Sequence, residues 1–165
     1  MVYTITILLL FSSLGEISTY STGSPSNACR PSSNPARNIR MVPGHSGLSL
    51  EATNPKATLV TTQEGDTLMI TLSSQEQFKG FLIVVQDKDE KNKGSPIGEF
   101  VLTGKDMQGV RCKGANTGVT HTSSSKKSSV AVNWKIPSGL DKVLVRATLI
   151  YDYSRGEQIR KVHAF

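Results

Sequence analysis

The amino-acid sequence predicts an all-β domain, a two-layer antiparallel sandwich, and three observations support this prediction. From about Thr58 onward the chain consists of short β-rich runs separated by turn residues, which is typical of a sandwich or barrel. No segment keeps a helical period over three turns. Two of the runs alternate so clearly between apolar and polar residues that each acquires a core-facing side. The length of 165 residues fits one such domain with a single hydrophobic core.

Two of the predicted strands can be oriented from their patterns, and a third is apolar throughout. In Thr67–Leu72 the apolar even-numbered residues share one face. In Val143–Tyr151 the odd-numbered residues face the core, and Arg146 and Thr148 point the opposite way. Phe81–Val85 is apolar on both faces, which predicts a central strand that is covered on both sides. The full set of predicted strands is Thr58–Thr62, Thr67–Leu72, Phe81–Gln86, Ile97–Leu102, Ser129–Trp134, Val143–Tyr151 and a weaker one at Gln158–Phe165.

Turn residues separate these runs. Glu64-Gly65-Asp66 predicts a tight hairpin, residues 87–96 a solvated loop, and Pro137-Ser138-Gly139 the end of the strand that contains Trp134. Residues 21–44 contain four prolines and are expected to form little regular structure. Trp134 alternates with valines in its strand, so a core position is favoured over a sugar-stacking surface position. About seven to eight short strands with a buried tryptophan and a long-range disulfide predict an immunoglobulin-like sandwich.

The amino terminus carries a candidate targeting segment. An apolar run from Ile5 to Phe11 is followed by small and polar residues, as in a signal peptide, although no Lys or Arg precedes it. Cleavage is expected after Gly15 or near Ser21, which gives a leader at about residues 1–20 and a single domain at residues 21–165. The run is too short to span a membrane. We therefore expect a secreted, extracellular protein without a membrane span, and a buried N-terminal strand is the alternative.

The two cysteines, Cys29 and Cys112, agree with export. In an oxidising compartment an even number of cysteines is expected to pair, and the alternative is two buried free thiols. No metal site is predicted, because the three histidines and two cysteines show no short-range ligand spacing. We expect no cofactor.

Positive charge is concentrated in the second part of the chain. The formal net charge is +6; residues 1–100 carry eight basic and nine acidic side chains, and residues 101–165 carry eleven and four, so −1 and +7 give +6. Such an excess favours association with polyanions without choosing among them. An alternative is a solvated surface whose lysines only maintain solubility. The candidate polyanion-binding residues are Arg111, Lys113, Lys126 and Lys127, with Lys105 nearby in sequence, and a second cluster of Arg30, Arg37 and Arg40.

An ordered set of motifs resembles the reeler domain, the amino-terminal domain of reelin. In that family a Cys, a Met-x-Pro-x-His element, a Phe-x-Gly-Phe strand, a second Cys, a Thr-His and a Trp-x-x-Pro follow one another. The resemblance covers about residues 23–165. The corresponding residues here are Cys29, Met41-Val42-Pro43-Gly44-His45, Phe78-Lys79-Gly80-Phe81, Cys112, Thr120-His121 and Trp134-Lys135-Ile136-Pro137.

The resemblance implies an immunoglobulin-like sandwich with a structural disulfide between Cys29 and Cys112. A short secreted reeler protein is similar to the insect defence proteins, which implies a role in innate immunity through binding to microbial surface polymers. The alternative is an extracellular-matrix or developmental module that binds a host protein or an acidic glycan. We expect no sequence-specific nucleic-acid partner, and the sequence does not predict an oligomeric state. Reeler domains also occur in membrane ferric reductases, whose haem-carrying membrane helices have no counterpart here.

Catalysis has little support in the sequence. There is no Gly-x-Ser-x-Gly elbow, no phosphate-binding glycine loop, no His-Glu-x-x-His and no cysteine placed as a free nucleophile. His45 and His121 lie in the family motifs, and one interpretation is a shared metal or ligand contact across the sandwich. We favour the simpler reading, in which each imidazole satisfies backbone groups near a strand end.

Overall fold

A computed structural model describes residues 22–29, 55–88, 95–114, 116–152 and 155–165. A 3₁₀ helix at Ser26–Cys29 precedes nine strands in this part of the chain. The strands are β1 (Ala57–Glu64), β2 (Thr67–Phe78), β3 (Gly80–Asp87), β4 (Glu99–Val101), β5 (Met107–Val110), β6 (Gly118–His121), β7 (Lys127–Lys135), β8 (Lys142–Ile150) and β9 (Gly156–Ala164). The predicted leader, residues 1–20, lies outside the described residues.

The strands form two antiparallel sheets, which confirms the predicted sandwich. One sheet has the order β1-β2-β7-β4, and the other has the order β5-β6-β3-β8-β9. The hairpin between β1 and β2 turns through Gly65 and Asp66, since Glu64 pairs directly with Thr67. Gly65 has a φ of 59°, a conformation that glycine adopts without steric cost. The tight hairpin predicted at this position is therefore confirmed.

The core lies between the two sheets and follows the predicted alternation. Leu68, Ile70 and Leu72 are fully buried, while Met69 between them is 36% exposed. The odd-numbered residues from Val143 to Leu149 are also fully buried. Trp134 packs in the same core. Burial of these apolar side chains is the main driving force for folding.

A buried carboxylate joins the two sheets at the start of β1. Glu157 of β9 is 2% exposed and accepts hydrogen bonds from the backbone N–H groups of Lys56 (3.2 Å) and Ala57 (3.3 Å). The phenol of Tyr151 donates to Glu157 Oε2 at 2.8 Å and lies 3.1 Å from Ser74 Oγ. These bonds satisfy a carboxylate that would be costly to bury alone. They hold the first strand of one sheet against the last strand of the other.

The central position predicted for Phe81–Val85 is confirmed. This run lies in β3, the middle strand of its sheet, and every residue of it is at most 2% exposed. Phe81 packs in the core, while Leu82 and Val84 contribute to a second, smaller cluster on the outer face of the sheet. Ala28 and Cys29 belong to that cluster. The lead-in segment, which we define as residues 22–29, therefore covers the second face of β3.

The structure confirms the orientation predicted for Arg146 and Thr148 and shows what covers them. Arg146 and Thr148 do point away from the core, yet each is only 4% exposed. Arg146 is covered because it contacts the lead-in segment, and Gln158 donates to the hydroxyl of Thr148 at 3.2 Å. The lead-in segment contains the 3₁₀ helix, and residues 30–44 of the region expected to form little regular structure lie outside the described residues. Its apolar residues find partners on the outer face of the sheet.

Two strands, β5 and β6, were not predicted from the sequence. Each has four residues, and β6 pairs with β3 and with β5. The predicted strand at Ile97–Leu102 is shorter than expected, at Glu99–Val101. The strand with Trp134 ends at Lys135, just before the predicted turn, and Gly139 in that turn has a φ of 77°. Most of the loop predicted at residues 87–96 lies outside the described residues.

Candidate functional site: the disulfide-linked end of the sandwich

The disulfide between Cys29 and Cys112 is present and joins the lead-in segment to the loop between β5 and β6. The Cα atoms of the two cysteines are 5.5 Å apart, and the bond closes a sequence separation of 83 residues. Cys29 is fully buried. The guanidinium Nη2 of Arg146 donates to the carbonyl oxygen of Cys29 at 2.5 Å. One covalent and one charge-assisted contact therefore fix the lead-in segment at this end, which we call the cysteine end (loop 111–117).

The loop at the cysteine end is organised around the hydroxyl of Thr117. Its oxygen accepts the backbone N–H groups of Cys112 (3.2 Å), Lys113 (3.2 Å) and Gly114 (3.4 Å). The same hydroxyl donates to the carbonyl of Gly114 at 3.0 Å. A side chain that satisfies several backbone groups of its own loop fixes the loop conformation without a strand ladder. The backbone of Lys113 is thus held in place.

Two of the predicted cationic residues lie at the cysteine end. Arg111 and Lys113 flank Cys112 in the chain, and both side chains are exposed. Within the described residues neither side chain forms an ion pair, so both charges face solvent. Exposed cations on a fixed loop can meet an anionic partner without first breaking an internal contact.

The other pair, Lys126 and Lys127, lies at the opposite end of β6. The register pairs Val110 with Gly118 and Met107 with His121, so loop 111–117 and residues 122–126 leave β6 at opposite ends. The four residues of β6 alone separate the two ends by about 10 Å. The four predicted residues therefore do not form a single compact cluster.

The side chain of Lys127 is hydrogen-bonded to the loop that precedes it. Its Nζ donates to the carbonyl oxygens of Ser123 (2.9 Å) and Ser125 (2.7 Å) and to the Ser125 hydroxyl (3.2 Å). Burial lowers the pKa of the Lys127 ammonium, and the nearby Asp106 opposes that shift. Lys126 next to it is exposed. Lys127 therefore has a structural contact that its sequence pattern did not reveal.

The second predicted cluster cannot be compared with the first. Arg30, Arg37 and Arg40 lie outside the described residues, as does His45. Only the sequence relation holds, namely that Arg30 directly follows Cys29. From the sequence, a bridge between Cys29 and Cys112 is expected to bring Arg30 close to Arg111 and Lys113, and this joining of the two basic clusters stays a prediction.

His121 has the backbone role that was favoured from the sequence. It is 4% exposed at the end of β6, and its Nδ1 accepts the N–H of Phe81 at 3.2 Å. The two rings also contact each other, with centroids 6.0 Å apart. Gly80 leaves room for the imidazole, because a Cβ there would lie 2.8 Å from Cε1 of His121. His121 thus anchors β6 to β3.

Trp134 is a core residue, as predicted. It is fully buried, and its indole N–H donates to the carbonyl oxygen of Ile97 at 3.1 Å. Gly98 lies directly against the ring with a φ of 66°, and a Cβ there would come within 2.5 Å of Cε2. The indole therefore packs against the Ile97–Gly98 backbone and holds it by this hydrogen bond.

The described part of the chain holds neither a candidate metal cluster nor a candidate membrane-spanning helix. There, no group of three or more His, Cys, Asp or Glu residues could hold a metal ion. Over the same residues, no helix has the length and hydrophobicity to cross a membrane.

The fold and the site together define a disulfide-linked, immunoglobulin-like sandwich domain whose lead-in segment is bonded to the outer face of one sheet. Comparison with known proteins identifies the family. The sequence profile of the Reeler domain matches residues 39–155, and the chain belongs to this family. The motif resemblance noted in the sequence is thereby confirmed.

Relatives of two kinds share this domain. The chain is 32% identical over 139 residues to "Putative ferric-chelate reductase 1" of Danio rerio and 29% identical over 163 residues to "Ferric-chelate reductase 1" of Bos taurus. It spans only 22% and 24% of those two proteins. It is 26% identical over 162 residues to "Putative defense protein 1" of Antheraea mylitta, covering 90% of this chain and 87% of that protein.

Solved structures agree on the fold. The reeler domain of human F-spondin superimposes with a TM-score of 0.55 at 17% identity, covering 72% of this chain and 92% of that one. A second structure, the Reelin-N domain of F-spondin, gives a TM-score of 0.53 at the same identity, with coverages of 72% and 90%. At this level of identity the likeness concerns the fold alone.

Proposed function

We propose that this chain is a secreted, non-enzymatic innate-immune protein that binds anionic polymers on microbial surfaces. The observation that carries the proposal is the pair of exposed cations, Arg111 and Lys113, on the fixed loop at the cysteine end. Phosphate and carboxylate groups of envelope polymers are the complementary chemistry. Arg30 adds a third basic residue next to the disulfide in sequence.

The comparison with the Antheraea mylitta protein supports the defence part of the proposal. That relative matches this chain over nearly its whole length, whereas the ferric-chelate reductases match over less than a quarter of theirs. Reductase activity belongs to those whole proteins and is not part of the proposal. The reeler domain is here proposed to act by binding.

Secretion is supported by two features. The apolar run from Ile5 to Phe11 has the length of a signal-peptide core. The disulfide is the second, because such bonds persist mainly in oxidising compartments.

The test compares bacterial and host polyanions. Purified protein is mixed with intact bacteria at low salt and sedimented, and in parallel with beads that carry a host acidic glycan. The proposal expects co-sedimentation with bacteria that falls as salt rises, since exposed charges are screened within about 10 Å at 0.1 M ionic strength. Binding to the host glycan alone would replace the proposal by a matrix role. No binding to either partner would remove it.

A further inference from the structure

A cavity of about 370 Å³ opens at the cysteine end, and Lys113, one of the two exposed cations there, lies in its lining. Four separate chain segments meet around it: the end of β3, the residues before β4, the loop 111–117, and the turn after β7. Its volume is in the lower part of the range for small-molecule sites. The lining residues are Asp87, Pro96, Ile97, Gly98, Lys113, Gly114, Thr117, Pro137 and Leu140.

The walls of the cavity are held by contacts to the core. Ile97 donates its N–H to the carbonyl of Val85 at 2.9 Å, and its own carbonyl accepts the indole of Trp134. In another part of the lining, Thr117 fixes the backbone of Lys113 and Gly114, and the disulfide fixes Cys112 beside them. A site with fixed walls loses little entropy when it is occupied, which favours binding of small molecules.

The chemistry of the lining combines apolar surface with one side chain of each charge. Pro96, Ile97, Pro137 and Leu140 supply the apolar part. Lys113 is the cationic residue of the lining, and within the described residues its ammonium has no hydrogen bond or ion pair. Asp87 supplies the negative charge. A ligand whose chemistry complements this lining carries an anion, a cationic donor group and a short apolar body.

We propose that this cavity binds a small zwitterion, a molecule whose primary ammonium and carboxylate or phosphate are separated by a short apolar span. Lys113 receives the anion, and the carboxylate of Asp87 lies on the wall that receives the ammonium. The prolines, Ile97 and Leu140 contact the apolar span. A polyanion is a poor occupant, because Asp87 in the same lining repels a second negative group. Lys113 is shared with the proposed binding of polymers, so the two proposals are distinguished by their probes: a small zwitterion tests the cavity, and an envelope polymer tests the exposed cations.

Two sources can present this chemistry, a terminal dipeptide and a phosphoethanolamine head group. The probes are therefore D-alanyl-D-alanine and free phosphoethanolamine, titrated into the full-length mature protein by NMR. We expect saturable shifts of the amides of Gly98, Lys113 and Gly114, with a dissociation constant of about 1 mM, as befits a ligand of few atoms. Saturation by one probe identifies its source, and saturation by both supports the shared chemistry. Saturation by neither overturns the proposal.

Blocked derivatives test each charge of the ligand separately. N-acetyl-D-alanyl-D-alanine lacks the ammonium, and D-alanyl-D-alanine amide lacks the carboxylate. Each is expected to bind at least fivefold more weakly than the free dipeptide, because each loses one charge-assisted contact. If phosphoethanolamine is the probe that binds, N-acetyl phosphoethanolamine is the derivative that lacks the ammonium. Equal affinity of a blocked and a free probe would overturn the zwitterion assignment.

Variants test the two side chains. Lys113→Met and Asp87→Asn keep the shape of the lining and remove its charges, so each is expected to weaken the binding probe about tenfold. Lys135→Met and Asp66→Asn are matched controls, since both residues are exposed and lie outside the lining. Chemical-shift spectra of the free variants show that each is folded. Unchanged affinity in both lining variants would contradict the proposal even if the probe binds.

Discussion

Arg146 and Cys29 are joined by a hydrogen bond of 2.5 Å from Nη2 to the backbone carbonyl oxygen. Arg146 stands on β8 and is 4% exposed. Burial lowers the pKa of Arg146 to about 10, and the nearby Arg160 contributes to the shift, so the guanidinium is still charged at neutral pH. A buried charge needs a partner, and here the partner is the residue that also carries the disulfide. The lead-in segment is therefore held both covalently and electrostatically.

Loss of the disulfide should loosen the lead-in segment without unfolding the sheets. We expect Cys29→Ser to lower the melting temperature, because a loop of this length contributes about 4 kcal/mol in the chain-entropy model. Limited proteolysis should then cut near the amino terminus while circular dichroism still shows β-structure. Thiol labelling of the native secreted protein tests whether its two cysteines are bonded to each other. Two reactive thiols per chain would contradict the bridge in the secreted protein.

The contributions of the disulfide and of the Arg146–Cys29 hydrogen bond to stability should be coupled. Arg146→Met in the oxidised protein should cost about 2 kcal/mol, because it leaves the Cys29 carbonyl without its charged donor. In a Cys29→Ser background the same substitution should cost clearly less, since a released segment no longer covers Arg146. Denaturant unfolding of both single variants and the double variant measures the coupling. Strictly additive effects would mean that the hydrogen bond does not depend on the covalent tie.

Gly98 should be far less tolerant of a side chain than Gly139. Both have a positive φ, 66° and 77°, so alanine is strained at either position. At Gly98 the new Cβ would also collide with the Trp134 ring, whereas nothing lies within 4 Å at Gly139. We expect destabilisation of about 3 kcal/mol for Gly98→Ala and about 1 kcal/mol for Gly139→Ala. Similar losses for the two variants would contradict the collision, and a shift in Trp134 fluorescence in Gly98→Ala would show that the ring had moved aside.

Tyr151 should ionise late and make stability depend on pH in the alkaline range. Burial raises the pKa of Tyr151 to about 12, and the hydrogen bond to Glu157 acts in the same direction, opposed by the one to Ser74. A raised pKa in the folded state adds stability that is complete below about pH 10 and is lost as pH rises toward 12. Tyr151→Phe should remove this part of the pH dependence. An ultraviolet difference titration of the two proteins measures the ionisation, and a midpoint near 10 would contradict the burial.

The sequence predicted the parts of the fold that repeat with period two. Thr67–Leu72 and Val143–Tyr151 were oriented correctly because alternation reports which face is buried. Strands β5 and β6 were missed because packing requires glycine in them. A Cβ at Gly118 would lie 2.6 Å from Cys112 Sγ, and a Cβ at Gly109 would collide with the side chain of Asn116. Glycine carries no apolar signal, so these short strands have no visible period.

The candidate site was only partly visible in the sequence. The proximity of Arg111 and Lys113 to the disulfide follows directly from their place beside Cys112. The separation of Lys126 and Lys127 from them depends on β6, which was not predicted. The cavity was not predicted either, because its wall is assembled from four segments that are distant in sequence. The burial of Arg146 beneath the lead-in segment could not be predicted. The pairing of Cys29 with Cys112 does not determine which face of the sheet the lead-in segment crosses.

The most direct test of the proposed function compares charge reversal at two places on the molecule. Arg111→Glu with Lys113→Glu removes the exposed cations of the cysteine end, and Lys79→Glu with Lys135→Glu makes the same change in net charge elsewhere. Binding of each double variant to purified anionic envelope polymer is measured at low salt. We predict a loss of affinity of about tenfold or more for the first pair and less than about threefold for the second. Equal losses would mean that only bulk charge matters and would contradict a binding site at the cysteine end.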